Sequence, residues 1–339
     1  MEKVENYFKS SDRITNIRSI TWKPEDEIKG VVVISHGVTE HMDRYDDLAK
    51  ILTKQGYVVV GHDHIGHGKS TNAKKMYFGE KGSFNYVVDD IKTEIQNIKE
   101  IYQNKKITLI GFSLGSFAAR QFLIDNPYAV NNAVLIGTGY NNEAELKIAK
   151  FAVWNESRKY GDHAYTDLID KLTFGTYNKT IKNPKTKLDW LCKNEKELEK
   201  YMNDPLRGEA MSCGLFRELL NGMSYSNNIN NIKKMNKNMP ILLMSGTDDP
   251  VGNYLKGVTK VYELFKSNGI NDVELKTYDN ARHDLLHEEC KKDVYKDLVE
   301  FINLKNKTND LTGNNKKLEE LHELKQELLK NKEIKANTK

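Results

Sequence analysis

The feature that most limits what this chain can become is a series of short apolar runs spaced by stretches of helical periodicity. Runs at 31–35, 57–61, 107–112, 133–136, 241–245 and 273–278 are each the length of one buried strand. Helical patterns lie at about 44–55, 86–102 and 114–125 between the first four, and at 254–268 and 285–302 after the last two. Strands joined through helices are not hairpins. Each crossover lays the next strand parallel to an earlier one, and the helices cover both faces of the sheet. The pattern predicts an α/β fold with a mainly parallel central sheet, and an antiparallel pair near 14–22.

The rhythm stops after Ile136 and resumes at Pro240. The residues between, 138–239, are polar, rich in Asn and Lys and helical in pattern, with no run fit for a buried strand. They are expected to form a helical cap inserted over the C-terminal edge of the sheet, where α/β folds place their ligands. A separate central domain is the alternative. The expected organisation is one domain over 1–304 carrying this insertion, then a polar linker and a charged amphipathic helix over 305–339. In that tail Leu318, Leu321, Leu324 and Leu328 recur on one side.

Composition excludes several classes. Charged residues make up 29% of the 339, apolar residues only 38%, and mean hydropathy is −0.66. No apolar run approaches the ~18 residues of a spanning helix. The opening MEKVENYFKSSDR lacks the apolar core of a secretory signal, so a cytoplasmic location is expected. Cys192, Cys213 and Cys290 are scattered and odd in number, as reduced thiols would be. Of the net charge of +4, nine lysines against six acids place +3 within 304–339 and leave +1 for the rest. The basic footprint of a nucleic-acid binder is missing.

The sharpest local signal is ITLIGFSLGS. Gly111-Phe112-Ser113-Leu114-Gly115 is a G-x-S-x-G pattern placed after an apolar strand and before a helix. A serine on a turn that tight needs small neighbours two positions away, and the turn lifts its hydroxyl above the sheet. The amide of Leu114, at the helix start, then faces developing negative charge. A serine hydroxyl also needs a base held by a third group. Downstream, ILLMSGTDDPVG offers Asp248 and Asp249 after one late strand, and VELKTYDNARHDLLHE offers His283 after the last. His287 follows one turn later, His163 lies in the insertion and His322 in the tail, so none of these sits at a strand end. In VVVISHGVTEHMDRY, Gly37 ends a strand, and the amide of Val38 is the expected second donor to an oxyanion.

The segments HGVTEHMDRY, GHDHIGHGKS, GFSLGS, SGTDDPVG and ARHDLLHE, in this order from Val31 to Glu288, resemble the monoacylglycerol lipase and lysophospholipase-like branch of the α/β-hydrolases. LDWLCKNEKELEKYMNDPL resembles bacterial members of that branch. The resemblance implies an α/β-hydrolase fold and serine ester hydrolysis, with Ser113 as nucleophile, Asp249 as acid, His283 as base, and Val38 and Leu114 as oxyanion donors. Phe112 stands where the branch often has His. The implied substrate is a small ester or a single-chain lipid, with transient contact at a membrane surface; no nucleic acid, metal or cofactor is implied. Oligomeric state and leaving group stay open. Phe151, Val153, Trp154, Leu168, Leu172, Phe174, Trp190, Leu215 and Phe216 are candidates for the wall of an acyl tunnel.

Other readings of the same residues are weaker, among them a non-hydrolytic binding protein on the same fold, which would have no need of the serine, acid and histidine in order. His62, His64 and His67 lack the aspartate of an H-x-H-x-D-H metal run, since Gly66 stands there. His283 and His287 have zinc-helix spacing, but Asp284 replaces the glutamate and no third ligand is identifiable. Gly68-Lys69-Ser70 ends like a phosphate loop, yet Asp63 occupies the place of its first glycine.

Overall fold

The computed structural model describes residues 1–308, 317–325 and 327. The chain opens with an antiparallel hairpin, β1 (Glu2–Lys9) and β2 (Asn16–Lys23). It continues through β3 (Gly30–Ser35), a 3-10 turn at Met42–Tyr45, α1 (Asp46–Lys54), β4 (Tyr57–His62) and α2 (Phe84–Ile101). Then come β5 (Lys106–Phe112), α3 (Leu114–Asp125) and β6 (Asn132–Ile136). A strand-free stretch holds α4 (Glu143–Tyr160), α5 (Asp167–Thr173), α6 (Glu195–Met202), α7 (Cys213–Asn227) and α8 (Ile229–Ile232). The last elements are β7 (Ile241–Gly246), α9 (Lys256–Ser267), β8 (Val273–Tyr278) and α10 (Lys291–Thr308).

The strands lie in the order β1-β2-β4-β3-β5-β6-β7-β8, antiparallel as far as β4 and parallel from there. Each expected strand is present. Side chains alternate across the sheet with the period of two that a pleated strand imposes. Val31 and Val33 of β3 pack with Val87 and Ile91 of α2 and with Phe117 of α3, while Val32 and Ile34 pack with Leu48 and Leu52 of α1 and Leu298 of α10. Both faces are therefore buried, which is why these strands read as continuous Val and Ile runs.

From β3 the chain moves outward to β4, then returns to add β5 on the other side of β3. The crossovers on either side of that point diverge, and a crevice opens above the C-terminal ends of β3 and β5. Ser113 follows β5 directly, and His36 to Val38 follow β3.

Three boundaries differ from expectation. The first strand of the hairpin is 2–9, whose mixed charges and exposed side chains hide it from a search for apolar runs but protect an edge strand. The last helix starts at Lys291 rather than 285, because the preceding backbone bonds elsewhere: the Asp284 amide donates to Leu191 O, and the Glu288 carboxylate accepts from Arg282, Lys193 and Glu289 amides. The same helix runs past 304, into the expected linker. There Lys305 pairs with Asp272 and Glu274, and Lys106 donates to the carbonyl of Asn306. Residues 317–325 are helical and reach the body through their polar side, Glu319 to Lys99 and Glu323 to Lys92. Leu318, Leu321 and Leu324 of the tail stripe are exposed, and Leu328 lies outside the described residues.

Packing at the serine turn leaves no room for a methyl group. A Cβ on Gly115 would lie 2.0 Å from the carbonyl oxygen of Ser35. Gly115→Ala should destabilise by more than about 3 kcal/mol, above the usual overpacking range because backbone rather than a side chain is struck. Urea unfolding checks this, and a loss below 1 kcal/mol would contradict the close approach of α3 to β3.

Candidate active site

Ser113 is the N-cap of α3 at φ 52° and ψ −117°, a region a non-glycine residue enters only under strain. Surrounding contacts hold it there. Its amide donates to Ile136 O of β6, and its carbonyl accepts from the Ser116 amide and hydroxyl. Gly111 and Gly115 make the turn possible, since a Cβ on Gly111 would meet Gly115 O at 2.5 Å.

The loops after β7 and β8 bring two more groups to this turn. Asp249 is fully buried, and each of its carboxylate oxygens lies 3.0 Å from His283 Nδ1. His283 Nε2 lies 2.9 Å from Ser113 Oγ. With Nδ1–H donating to the carboxylate, Nε2 carries the lone pair and accepts from the serine hydroxyl. Asp249 Oδ1 also accepts from the Val251 amide at 2.8 Å, which fixes the carboxylate. Burial pushes the His283 imidazole down, but the charge of Asp249 and its hydrogen bond more than reverse this, so its pKa lies above the ordinary 6.5.

The alternatives fall outside this chain of contacts. Asp248 is 45% exposed at its side chain and pairs with Lys193. His287 donates through Nε2 to Arg44 O, and its Nδ1 lies 2.8 Å from Asp284 Oδ1. His163 meets Lys74, and His322 meets the carbonyl of Asp125. His62 pairs with Glu94, His64 with Ser35, and His67 with Ile65 O.

Val38 and Leu114 line the cavity above Ser113, and neither backbone amide donates to a protein group among the described residues. The cavity measures about 190 Å³. Phe216, Leu219, Leu220 and Met223 line it from α7 at the i, i+3, i+4, i+7 spacing of one helical face, and Leu146 and Ala149 line it from α4. Of the nine tunnel candidates, Leu172, Phe174, Trp190 and Phe216 line the cavity. Val153 and Leu215 are fully buried in the core instead, while Phe151 and Trp154 stack on each other in solvent and Leu168 is exposed. Helical periodicity marks which residues leave the surface. It does not tell a cavity wall from packed core.

Sequence reasoning missed the groups that hold the site together. Phe112 and Trp190 lie on the His283 ring at centroid distances of 5.1 and 5.4 Å, which gives the residue before the serine a packing role. Gly137, at φ 61°, clears the ring's edge, since a Cβ there would lie 2.8 Å from His283 Cε1. Arg44 bonds Glu40 at 2.9 Å and Asp284 at 2.6 Å, with the Tyr201 ring 4.5 Å away. Glu40 in turn accepts from the Gly37 amide at 2.6 Å and from Tyr45 OH. One guanidinium thus links the loop of Val38 to the loop of His283. The sequence signal was available as Glu40 and Arg44 four residues apart, but their partner Asp284 is 240 residues further on.

A strained serine at the switch point of a mixed sheet, with a histidine and an aspartate from the last two loops, is the signature of one class of protein, the serine ester hydrolases of the α/β-hydrolase fold, and this chain is one of them. Within that class, the profile of the Hydrolase_4 family (serine aminopeptidase, S33) matches residues 26–290, and the chain belongs to this family. It is similar to the monoglyceride lipase homolog of monkeypox virus, 29% identical over 284 residues that span 83% of this chain and 92% of that protein. Human monoglyceride lipase is 26% identical over 270 residues, 79% of each chain. Among solved structures, a thermostable carboxyl esterase from Bacillus coagulans in complex with glycerol superposes with a TM-score of 0.83 at 25% identity, covering 90% of this chain and 99% of that one.

The histidines should separate on titration. Burial and the neighbouring rings hold His36 and His64 well below 6.5, and burial puts His67 at about 4. These three therefore weaken the fold as pH falls from 6.5, where the unfolded chain binds protons that the buried rings refuse. His283 has the opposite sign: its contribution is full below 6.5 and is lost as pH rises through its raised pKa. Histidine NMR should show His283 titrating above 6.5, His67 near 4, and His36 and His64 below the ordinary imidazole range. A His283 midpoint below 6 would contradict the Asp249 contact.

Proposed function

We propose that Ser113, His283 and Asp249 hydrolyse carboxylic esters of single-chain lipids, monoacylglycerols or lysophospholipids, through an acyl-enzyme. The observation that carries this reading is the unbroken contact from Asp249 through His283 to Ser113 beneath an apolar cavity. Ser113 Oγ attacks the ester carbonyl while its proton passes to His283 Nε2. The amides of Val38 and Leu114 receive the oxyanion, and Asp249 holds the Nδ1–H tautomer and stabilises the imidazolium. The tetrahedral adduct collapses, the leaving alcohol takes the proton from His283, and a water deprotonated by His283 then frees the fatty acid.

The helices between β6 and β7 act in this reading as a cap that supplies most of the acyl wall. Relatives named as monoglyceride lipases support the lipid substrate, as does a probable lysophospholipase of Haemophilus influenzae at 24% identity. Hydrolysis of small soluble esters is the second reading, favoured by the carboxyl esterase among the similar structures. Among the described residues no helix is long and apolar enough to cross a membrane. Transient contact at a lipid surface is the mode of access this reading needs, and the three free thiols support a cytoplasmic setting.

Ser113→Ala should lower esterase turnover by several orders of magnitude with little change in Tm, as the substitution removes one oxygen and no buried volume. Asp249→Asn should cost roughly 10³–10⁴ in rate and Asp248→Asn far less. The reverse order would move the acid to Asp248.

Chain-length kinetics decide between the two substrate readings. Each methylene entering a continuous apolar cavity contributes about 0.8 kcal/mol. So kcat/KM on p-nitrophenyl esters below the micelle concentration should rise about fourfold per carbon from acetyl and level off when the cavity is full. A flat or falling profile leaves the carboxylesterase reading.

A further inference from the structure

The peptide unit between Gly37 and Val38 carries, at one end, the Val38 N–H that the proposed function assigns to the oxyanion. Its other end is the carbonyl of Gly37. The unit is planar, so fixing the carbonyl fixes the direction of the N–H. A hydrogen bond accepted by the oxygen also makes the N–H a stronger donor, because bonds in a chain polarise one another.

A single donor reaches that carbonyl among the described residues: His36 Nδ1, at 2.7 Å. The tautomer this needs is settled by the other side of the ring. The backbone amide of His64 lies 3.0 Å from His36 Nε2, and an amide can only donate. Nε2 therefore holds the lone pair, and the proton is on Nδ1, facing Gly37 O. The ring has no freedom to leave, being fully buried and packed against the tilted ring of His64 at a centroid distance of 4.1 Å, with His67 at 5.5 Å. Glu40 secures the adjacent peptide through the Gly37 amide, but nothing in its contacts touches the carbonyl of Gly37.

We propose that His36 is a positioning residue for ester hydrolysis, which uses its Nδ1–H···O bond to Gly37 to aim and polarise the Val38 oxyanion donor. The inference rests on the proposed reading of Ser113 and Val38. It predicts an effect confined to the transition state, since a ground-state ester carbonyl needs the donor less than an oxyanion does.

Two amide substitutions separate the two ends of the ring. His36→Asn places an amide nitrogen near the position of Nδ1 and keeps the donor to Gly37, while losing the acceptor for His64. His36→Gln reaches the position of Nε2 and does the reverse. The measurements are kcat and KM on a p-nitrophenyl ester, Tm, and inhibition by a trifluoromethyl ketone of the same acyl length, which forms an oxyanion on the serine. His36→Gln should lose about 10- to 100-fold in kcat with KM little changed, below the loss of a whole oxyanion donor, and should weaken the ketone by a similar factor. His36→Asn should stay within about threefold of the parent on both. Equal losses in the two variants, a loss in KM alone, or a wild-type response from His36→Gln would overturn the proposal. If neither variant folds, histidine-labelled wild-type protein decides by NMR. An Nδ1–H tautomer at His36 and a downfield shift of the Val38 amide proton in the ketone adduct support it; an Nε2–H tautomer overturns it. A wild-type protein that neither turns over esters nor binds the ketone would instead remove the parent reading of Ser113.

Discussion

The approach of α3 to the exit of β3 is the contact on which the rest of the site depends. Gly115 lies against the carbonyls of Ser35 and His36 so closely that no side chain fits between. That contact sets the turn at Ser113, and the turn sets where the hydroxyl and the Leu114 amide stand. The same contact brings Val38 beside Leu114, although they come from different strands. The positive φ of Ser113 is a local cost, of order 1–3 kcal/mol for such a backbone, offset by the parallel strands on either side.

Around that fixed point, buried charges are met by opposite charges at Arg44. Arg44 is nearly buried yet meets Glu40 and Asp284, and although burial pushes the Asp284 carboxyl up, His287 and Arg44 beside it hold it below the usual carboxylate range. Arg120 is the contrasting case. It is fully buried and bonds no carboxylate among the described residues, and burial lowers its pKa to about 9. Its hydrogen bonds go to the carbonyls of Gly139 and Ser226 and to Asn227 Oδ1, and its plane lies near Phe117 and Phe265. These acceptors sit where the chain leaves β6 and at the end of α7, whose carbonyl dipoles favour a cation. The guanidinium therefore ties the helix behind Ser113 to both ends of the helical stretch.

Elements whose residues are buried on both faces were legible, because burial from both sides leaves an uninterrupted Val and Ile run. That holds for β3 to β7; β8, the other edge strand, is buried only at Val273 and Tyr278, and its 273–278 segment is not the buried apolar strand expected. The strand at 2–9 was not legible, since an edge strand is stabilised by ladder bonds that any side chain permits. That Ser113, Asp249 and His283 meet was legible because each lies in the turn or loop that follows a strand, and strand ends are visible in a sequence. Arg44, Asp284, Gly137 and the contact of Trp190 with the His283 ring were hidden for the converse reason: they come from contacts between segments far apart in the chain. Tunnel residues were the least legible, as Val153 and Phe216 share the same chemistry and differ only in what lies opposite them.

The loop that bears His283 does not belong to the sheet alone. Asp284 donates its amide to Leu191 O, Arg282 reaches the carbonyls of Asp189 and Cys192, and Glu288 accepts the amide of Lys193. For anyone recombining this enzyme with a relative, that stitching fixes the crossover points. Residues 138–239 are contiguous and look like a cassette, but lifting them out alone would strand three sets of bonds on the histidine loop. The unit of exchange is discontinuous: 138–239 must travel with 282–288, and a chimaera cut at the ends of the helical stretch alone would inherit a pocket from one parent and a misaligned His283 loop from the other.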